Sequence, residues 1–304
     1  MLCTRATEDA EMRSATLRLA TRGSALALTQ ARWVADRLGG AELVEAISDG
    51  EPGDKSRFVR GVERALLAGE AEVGVHSAKD LPAEMPEGLE IAGVPEREDP
   101  ADAWIGIGGS LEEVPEGARV GTASLRRRAQ LLAARPDLRV EELHGNVDTR
   151  LRKLAEGELD AIVLAAAGLR RLGREEEIGF ALPVEQMCPA AGQGALALQV
   201  RADDAEAGNA AAAVNELKAM RELTAERTVV ALLQATCNTP LGVHAEVHGE
   251  TLTIDAFVGL PDGTEWIRDR LEGRAEEPSL AGAELTQRLL GAGAREILNR
   301  AEGL

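Results

Sequence analysis

One unit, a short strand-like run, a polar turn and an amphipathic helix, recurs along the chain and restricts it to an α/β fold. In its first copy "LRLAT" (17–21) alternates like a strand and "RGS" turns. "ALALTQARWVADRLGG" then has helical spacing, with Ser24 as N-cap and a glycine stop at 39. "ARVGTAS" (118–124) repeats the strand and its hydroxyl caps, and "LRRRAQLLAARP" is a helix that ends before Pro136. "LRVEELHGNVDTRLRKLAEG" is a third copy, with Asp148 as the expected cap, and "ELDAIVLAAAGLRRLG" a fourth. "EAEVGVHSAKDLP" (70–82) is another buried strand that empties into a polar turn. Strands alternating with helices predict mainly parallel sheets.

After about residue 217 the pattern changes. "GVHAEVHGETLTIDAFVGLPDGTEWIRDRLEG" holds three alternating runs separated by "HGE" and "PDG", which predicts an antiparallel three-stranded meander. "SLAGAELTQRLLGAGAREILNRA" follows as a helical pattern with a glycine break. The end of the chain is thus a separate, small α+β domain.

Composition narrows the function. A length of 304 residues allows two or three domains. No stretch has the 18 or more uninterrupted apolar residues of a membrane span. The first residues, "MLCTRATEDAEMRSAT", lack the apolar stretch of a secretory leader, so a cytoplasmic protein is expected. The formal charge of −18 argues against a nucleic-acid partner, which needs a broad basic face. Lysine occurs only at 55, 79, 153 and 218, and the other basic residues are all arginine. A halophilic source is the favoured account of this acid-rich, lysine-poor chain, and GC-rich codon usage gives the same signature. Three widely spaced cysteines, at 3, 188 and 237, form neither a disulfide framework nor a metal site. Because an acidic protein repels anions, any anion site has to be built locally, from arginines and helix N-termini.

The polar residues at the strand ends supply such a site. They are Arg22 and Ser24; Ser77, Lys79 and Asp80; Thr122, Ser124, Arg126 and Arg127; His144, Thr149 and Arg150; and Arg171. Open α/β sheets bind ligands at these ends. Arginine forks and helix N-termini hold carboxylates, so the set predicts a cleft for a ligand with several carboxylates. Singly, each element has a plainer reading: "TRGS" as a capped helix start, the arginines 126–128 as a solvated face, Lys79 and Asp80 as a surface pair. Their equivalent topological positions weigh against those readings. Asp80 is the one carboxylate of the set that directly ends a buried strand, a place suited to assisting proton transfer and to stabilising positive charge. In "PAAGQGALALQV" (189–200) Gly192 and Gly194 flank Gln193, either as a turn before a strand or as a close backbone approach to a ligand.

"LLQATCNTPLG" (232–242) places Cys237 at a helix-to-loop junction. It reads equally as a reachable thiol or as a small buried hydrophobe. Cys3 and Cys188 read as structural or incidental, His76 as buried in or behind a strand, and His244 and His248 as surface residues of the meander.

Together these residues resemble the porphobilinogen deaminase (hydroxymethylbilane synthase) family. The resemblance runs from about residue 17 to the end, on "LRLATRGSALAL", "VGVHSAKDLP", "EREDPADA", "VGTASLRRRAQL", "LHGNVDTRLRKL", "AAAGLRRLG", "PAAGQGAL", "AERTVVALLQATCNTPLG" and "GAREIL". It implies two periplasmic-binding-protein-like (type II) α/β domains around a cleft. The expected boundaries are 17–95 with 195–212 for the first and 101–190 for the second. A cofactor-anchoring domain at 217–304 and an N-terminal extension over 1–16 complete the chain. The activity implied is that of a transferase, condensing four porphobilinogen into linear hydroxymethylbilane with release of ammonia. The cofactor implied is a dipyrromethane joined by a thioether to Cys237. A monomer is expected, with no metal, no membrane and no nucleic acid. Asp80 is implied to assist deamination. Ser77, Lys79, Thr122, Ser124, Arg126, Arg127, Arg150, Gln193 and Gly194, with Arg22 and Arg171, match positions that hold cofactor or substrate, and Ser24, His144 and Thr149 belong to the same loops.

The chain departs from the family pattern in three places. His144 stands in "HGN" where an arginine is common, "ATC" replaces the frequent "GGC", and "ISDGEPGDKS" (47–56) is short for the family's mobile loop, whose end Lys55 and Phe58 match. The alternative reading from another class is a two-lobed binding or sensor protein for small anions. A deaminase inactivated by its short loop lies between the two.

Overall fold

The computed structural model describes residues 16–47, 57–236 and 238–302, with residues 57, 58 and 302 described by backbone alone. Lys55, Cys237, Cys3 and residues 1–15 lie outside the described residues, as does the side chain of Phe58. The chain begins with β1 (Arg18–Thr21), α1 (Ala25–Arg37), β2 (Glu42–Glu45), α2 (Arg57–Leu67), β3 (Val73–Ser77) and β4 (Leu89–Gly93). It crosses to a second lobe as β5 (Asp102–Gly106) and continues as β6 (Arg119–Gly121), α3 (Leu125–Ala134), β7 (Arg139–Glu141), α4 (Val147–Ala155), β8 (Ala161–Ala165), α5 (Ala166–Arg171) and β9 (Phe180–Leu182). It returns as β10 (Leu196–Arg201) and α6 (Ala205–Ala213). The last part is α7 (Leu217–Leu233), β11 (Leu241–His248), β12 (Thr251–Gly259), β13 (Trp266–Arg274), α8 (Pro278–Gly291) and α9 (Ala294–Glu302).

The two lobes share one plan. Their sheets run β2-β1-β3-β10-β4 and β7-β6-β8-β5-β9. In each, the third strand from the left is followed by the strand that has just crossed from the other lobe. That strand is antiparallel to both of its neighbours, while the three strands on the left pair in parallel. The sheets are therefore mixed, a correction to the expected mainly parallel ones. A helix between two strands makes them parallel, but the direction of β5 and β10 is set by the crossings, which carry no helix.

Helices cover both faces of each sheet, which is why "AIVLA" (161–165) is continuously apolar rather than alternating. In the first lobe Leu19, Val75 and Leu198 pack on Ala31 and Val34 of α1, and Ala20 on Val62 and Leu66 of α2. In the second, Val120 and Val163 pack with Leu131 of α3, and Ile105 and Ile162 with Leu151 and Leu169. Each fully buried leucine of this kind contributes about 1.5–3 kcal/mol.

Ser24 and Ser124 cap α1 and α3 as expected, accepting from the amides of Ala27 and Arg127 at 3.3 and 3.4 Å. The cap of α4 is Asn146, not Asp148. Asn146 is extended and accepts from the Thr149 amide at 2.9 Å, whereas Asp148 lies inside the first turn and pairs with Arg174 at 2.7 Å.

The third unit is the expected antiparallel sheet, β11-β12-β13, on α7 and α8. His244 corrects the surface expectation, since it is only 9% exposed. The start of β11 is covered on both faces: by α7 on one and, on the other, by the segment at Cys188, whose carbonyl would lie 2.6 Å from a Cβ on Gly242. His248, at the strand's end, is exposed. Among the described residues no helix is long and apolar enough to cross a membrane.

Glu226 of α7 ties this unit to both crossings. It pairs with Arg97 at 2.8 Å and accepts from the amides of Gly192 and Ala245 at 2.6 and 2.8 Å. Burial alone would raise its pKa, and Arg97 reverses that and holds it below the usual carboxylate range.

Candidate active site

The first half of the site lies at the ends of β1 and β3. Arg22 follows β1, and the strand β3 ends in Ser77 and a single 3₁₀ turn, residues 78–80, that carries Lys79 and Asp80. Arg22 Nη1 lies 3.3 Å from Asp80 Oδ2, with both side chains partly open to solvent. A cavity of about 80 Å³ opens here, lined by Arg22, Ser24, His76, Ser77, Lys79 and Asp80 among others. His76 is buried behind it. Its Nε2 is 2.8 Å from Gln199 Oε1, Gln199 donates to Glu63 at 3.3 Å, and burial pulls the imidazole down to about 4, so it is neutral at ordinary pH.

The second half lies at the ends of β6 and β8. Thr122 accepts from the Ser124 amide at 3.2 Å, shaping the turn that starts α3. Arg126 and Arg127, in the first turn of α3, are buried against Asp102 rather than displayed as a solvated face. Arg126 Nη1 donates to Asp102 Oδ2 and to the Cys188 carbonyl, both at 2.7 Å. Arg127 donates to Asp102 Oδ1 from Nε at 3.0 Å and from Nη2 at 2.7 Å, and to the Val163 carbonyl at 2.9 Å. Burial would raise the Asp102 carboxyl, but the two guanidiniums more than reverse it and hold it far below the usual range.

Gln193 joins the halves. Its side-chain nitrogen donates to the Pro100 carbonyl at 2.7 Å and to Asp102 Oδ1 at 2.9 Å, and its oxygen is 3.4 Å from Lys79 Nζ. The flanking glycines are required here. Gly192 and Gly194 have φ of 72° and 87°, and a Cβ on Gly194 would lie 2.1 Å from the Glu98 carbonyl. Arg171 Nη2 donates to the Gly194 carbonyl at 2.7 Å, and Arg150 Nε to the Gly145 carbonyl at 2.9 Å.

Lys79, Arg150 and Arg171 form no ion pair among the described residues, and each is partly buried. Burial, aided by the Arg127 charge and opposed by Asp80 and Asp102, pulls Lys79 down to about 8. Burial and the Arg127 charge bring Arg150 to about 10, and burial opposed by Glu98 does the same for Arg171. Partly buried cations whose hydrogen bonds among the described residues go only to neutral oxygens are costly unless an anion completes them. His144 does not join this group: it is exposed, beside exposed Glu142 at 3.2 Å. Thr149 contributes its backbone amide to the Asn146 cap.

Cys237 itself lies outside the described residues, but its neighbours are bonded to one another. The Thr239 amide donates to the Thr236 carbonyl at 3.0 Å, the Thr236 amide to Thr239 Oγ1 at 2.8 Å and the Asn238 amide to Thr236 Oγ1 at 3.2 Å. Gln234, at the end of α7, has a φ of 56°, the one positive value of a non-glycine among the described residues. Ala235 and Thr236 thus need no glycine, and threonine hydroxyls supply hydrogen bonds that close the turn. Arg295 of α9 donates to the Leu233 carbonyl at 3.0 Å, satisfying a free carbonyl at the end of α7.

Asp102, Arg97 and Glu226 were not singled out from the sequence. Both "EREDPADA" and "AERTVVALLQ" contain them, but a carboxylate at a strand start or inside a helix gives no local sign of a buried partner far along the chain. Cys188, expected to be structural or incidental, is fully buried, and burial pushes its thiol well up.

Comparison with known proteins agrees with the residues. Residues 17–209 match the family model described as porphobilinogen deaminase, dipyromethane cofactor binding domain, and residues 220–291 match that of the porphobilinogen deaminase C-terminal domain. The porphobilinogen deaminase of Syntrophus aciditrophicus is 44% identical over 94% of this chain and 99% of its own. Those of Geobacter metallireducens and Brevibacillus brevis are 42% and 43% identical, over 93% and 92% of this chain and 93% and 96% of theirs. Solved structures overlap only loosely. A TRAP periplasmic solute binding protein from Desulfovibrio salexigens covers 66% of this chain and 72% of its own, at a TM-score of 0.39 and 11% identity. With both family models matched in order and relatives above 40% identity along nearly their whole length, the chain belongs to the porphobilinogen deaminase family.

Proposed function

We propose that the chain is an active porphobilinogen deaminase, a transferase that condenses four porphobilinogen, releases one ammonia at each step and frees linear hydroxymethylbilane by hydrolysis with one water. The observation that carries this is a set of partly buried cations that form no ion pair among the described residues, Lys79 beside Asp80, Arg150 on α4 and Arg171 on α5, in a protein of net charge −18. Each porphobilinogen ring bears an acetate and a propionate, so a growing chain is a polycarboxylate that matches such a face.

The residues present fit a dipyrromethane. Lys79, Arg126, Arg127, Arg150 and Arg171 with the hydroxyls of Ser77, Thr122 and Ser124 would hold its carboxylates, Gln193 and Gly194 would border it, and Cys237 would hold it by a thioether. When bound, such a group supplies the free pyrrole α-carbon on which the product is built. The protein's part is to orient the rings, exclude water and stabilise charge. Asp80 would act on the aminomethyl group of an incoming porphobilinogen. Its carboxylate favours the positive pyrrole left when the C–N bond breaks and ammonia departs. Ser24, His144, Thr149, Arg22, Lys55 and Phe58 complete the proposed contacts. We take the enzyme to act as a cytoplasmic monomer, without metal or nucleic acid, from a halophilic source.

The direct test is the intact mass of protein purified from a porphobilinogen-producing host, together with ammonia release. A mass above the bare 32.1 kDa by one dipyrrole, and one ammonia per porphobilinogen consumed, is expected. The bare mass with no colour from a pyrrole reagent would rule the reading out.

Lys79 adds a pH dependence. Its pKa in the folded protein is about 8, below its ordinary value of 10.5, so its desolvation cost to stability is full below pH 8 and fades as pH rises toward 10.5. Only the ammonium attracts carboxylates, so KM for porphobilinogen should rise severalfold as pH rises through about 8. Lys79→Met should raise KM at neutral pH and remove that step from the KM profile. An unchanged step in the variant would assign it elsewhere.

A further inference from the structure

Asp102 opens β5 at the first crossing and is fully buried, yet the reaction as described gives it no part. Arg126 and Arg127 are adjacent cations at the start of α3, where the helix dipole is positive, and without a counter-charge they would repel each other and the helix end. Asp102 divides its oxygens between them: Oδ2 takes Arg126 Nη1, and Oδ1 takes Nε and Nη2 of Arg127. With the Val163 carbonyl on Nη1, each nitrogen of Arg127 makes one of these bonds, which leaves one N–H on Nη1 and one on Nη2 for a ligand. Among the described residues Arg126 donates from Nη1 alone, to Asp102 and the Cys188 carbonyl, and no bond is made by its Nε and Nη2. Oδ1 also accepts from Gln193, whose oxygen faces Lys79 of the other lobe.

We propose that Asp102 is the positioning residue of the anion-binding face, aiming the Arg126 and Arg127 side chains and, through Gln193, setting them in register with Lys79 and Asp80 across the cleft. The inference rests on the reading of that cleft as a polycarboxylate site. Asp102 also offsets one of the two guanidinium charges, so the face is cationic without being self-repelling, and its field helps keep Lys79 protonated.

Two variants separate positioning from charge. Asp102→Asn removes the charge at constant shape, and Asp102→Glu keeps it but moves it by about one carbon–carbon bond, roughly 1.5 Å. Both are expected to melt cooperatively and to raise KM for porphobilinogen tenfold or more, with kcat within threefold of wild type. A purely structural ion pair would instead leave Asp102→Glu with a wild-type KM. The second readout does not require turnover: the pH midpoint for modification of Lys79 by an amine reagent, followed by mass, should fall in Asp102→Asn and hold in Asp102→Glu. If the unaltered protein consumes no porphobilinogen, the proposed function fails while the Lys79 midpoint still tests the hold of Asp102 on the cluster. A KM within twofold of wild type in either folded variant overturns the proposal. So does an unmoved Lys79 midpoint in Asp102→Asn, or failure of both variants to melt cooperatively, which would make Asp102 a folding residue.

Discussion

Cys237→Ser is expected to give a folded protein whose intact mass is that of the bare chain and which condenses no porphobilinogen. A thioether needs a thiolate, the sulfur form that attacks carbon, and a serine hydroxyl is far less acidic and far less nucleophilic. Without the tether the first rings would have to be held by ion pairs alone, which exchange with solvent. Activity should fall at least about a thousandfold, more than ~4 kcal/mol in transition-state free energy. The chain should still melt cooperatively, because the hydrogen bonds seen across 236–239 come from Thr236, Asn238 and Thr239, and it should melt below the loaded protein, because a group bound only by the folded state stabilises that state. Mass spectrometry and a thermal melt on the same sample decide the matter. A variant that still carries a dipyrrole would place the tether on another residue, and one that lacks it but turns over normally would remove the need for a tether.

The turn around that cysteine shows where sequence reasoning stops. The helix-to-loop junction was legible from the polar run after "VVALL", and so were the serine caps of α1 and α3, because capping and periodicity are local. The mixed sheets were not legible: β5 and β10 have the apolar pattern of any buried strand, and a strand's period does not encode its direction. The Asp148 cap failed by two residues, since Asn146 and Asp148 are both good caps and only the backbone at Gly145, with φ 120°, places the helix start. His244 was misplaced because alternation cannot reveal that another segment covers the strand's second face. At the site, polar residues at strand ends were legible one by one, and Lys79, Asp80, Arg126 and Arg127 do converge. What could not be read was the partner of each cation. Arg126 and Arg127 face a carboxylate 24 and 25 residues earlier, while Arg150 and Arg171, among the described residues, donate only to carbonyls.

Asp80→Asn should have the opposite signature to Cys237→Ser: the dipyrrole retained and turnover lost. The two side chains are nearly the same shape, and Asp80 is exposed, with one long contact to Arg22 at 3.3 Å. Surface ion pairs of this kind contribute about 0–1 kcal/mol, so folding and cofactor attachment should survive. Asparagine cannot carry the negative charge that stabilises a developing cation, nor exchange a proton with the departing amine. A positioned acid–base group accelerates its step by roughly 10²–10⁴-fold, and kcat should fall by that factor while KM moves little. Among the described residues that line the cavity, Asp80 is the sole acid, so no neighbour stands ready to replace it. Asp80→Glu, which keeps the charge but displaces it, should recover part of the loss. If Asp80→Asn turned over within threefold of wild type, the charge-stabilising role would belong elsewhere. If it lost the dipyrrole as completely as Cys237→Ser does, Asp80 would act in assembling the cofactor rather than in turnover.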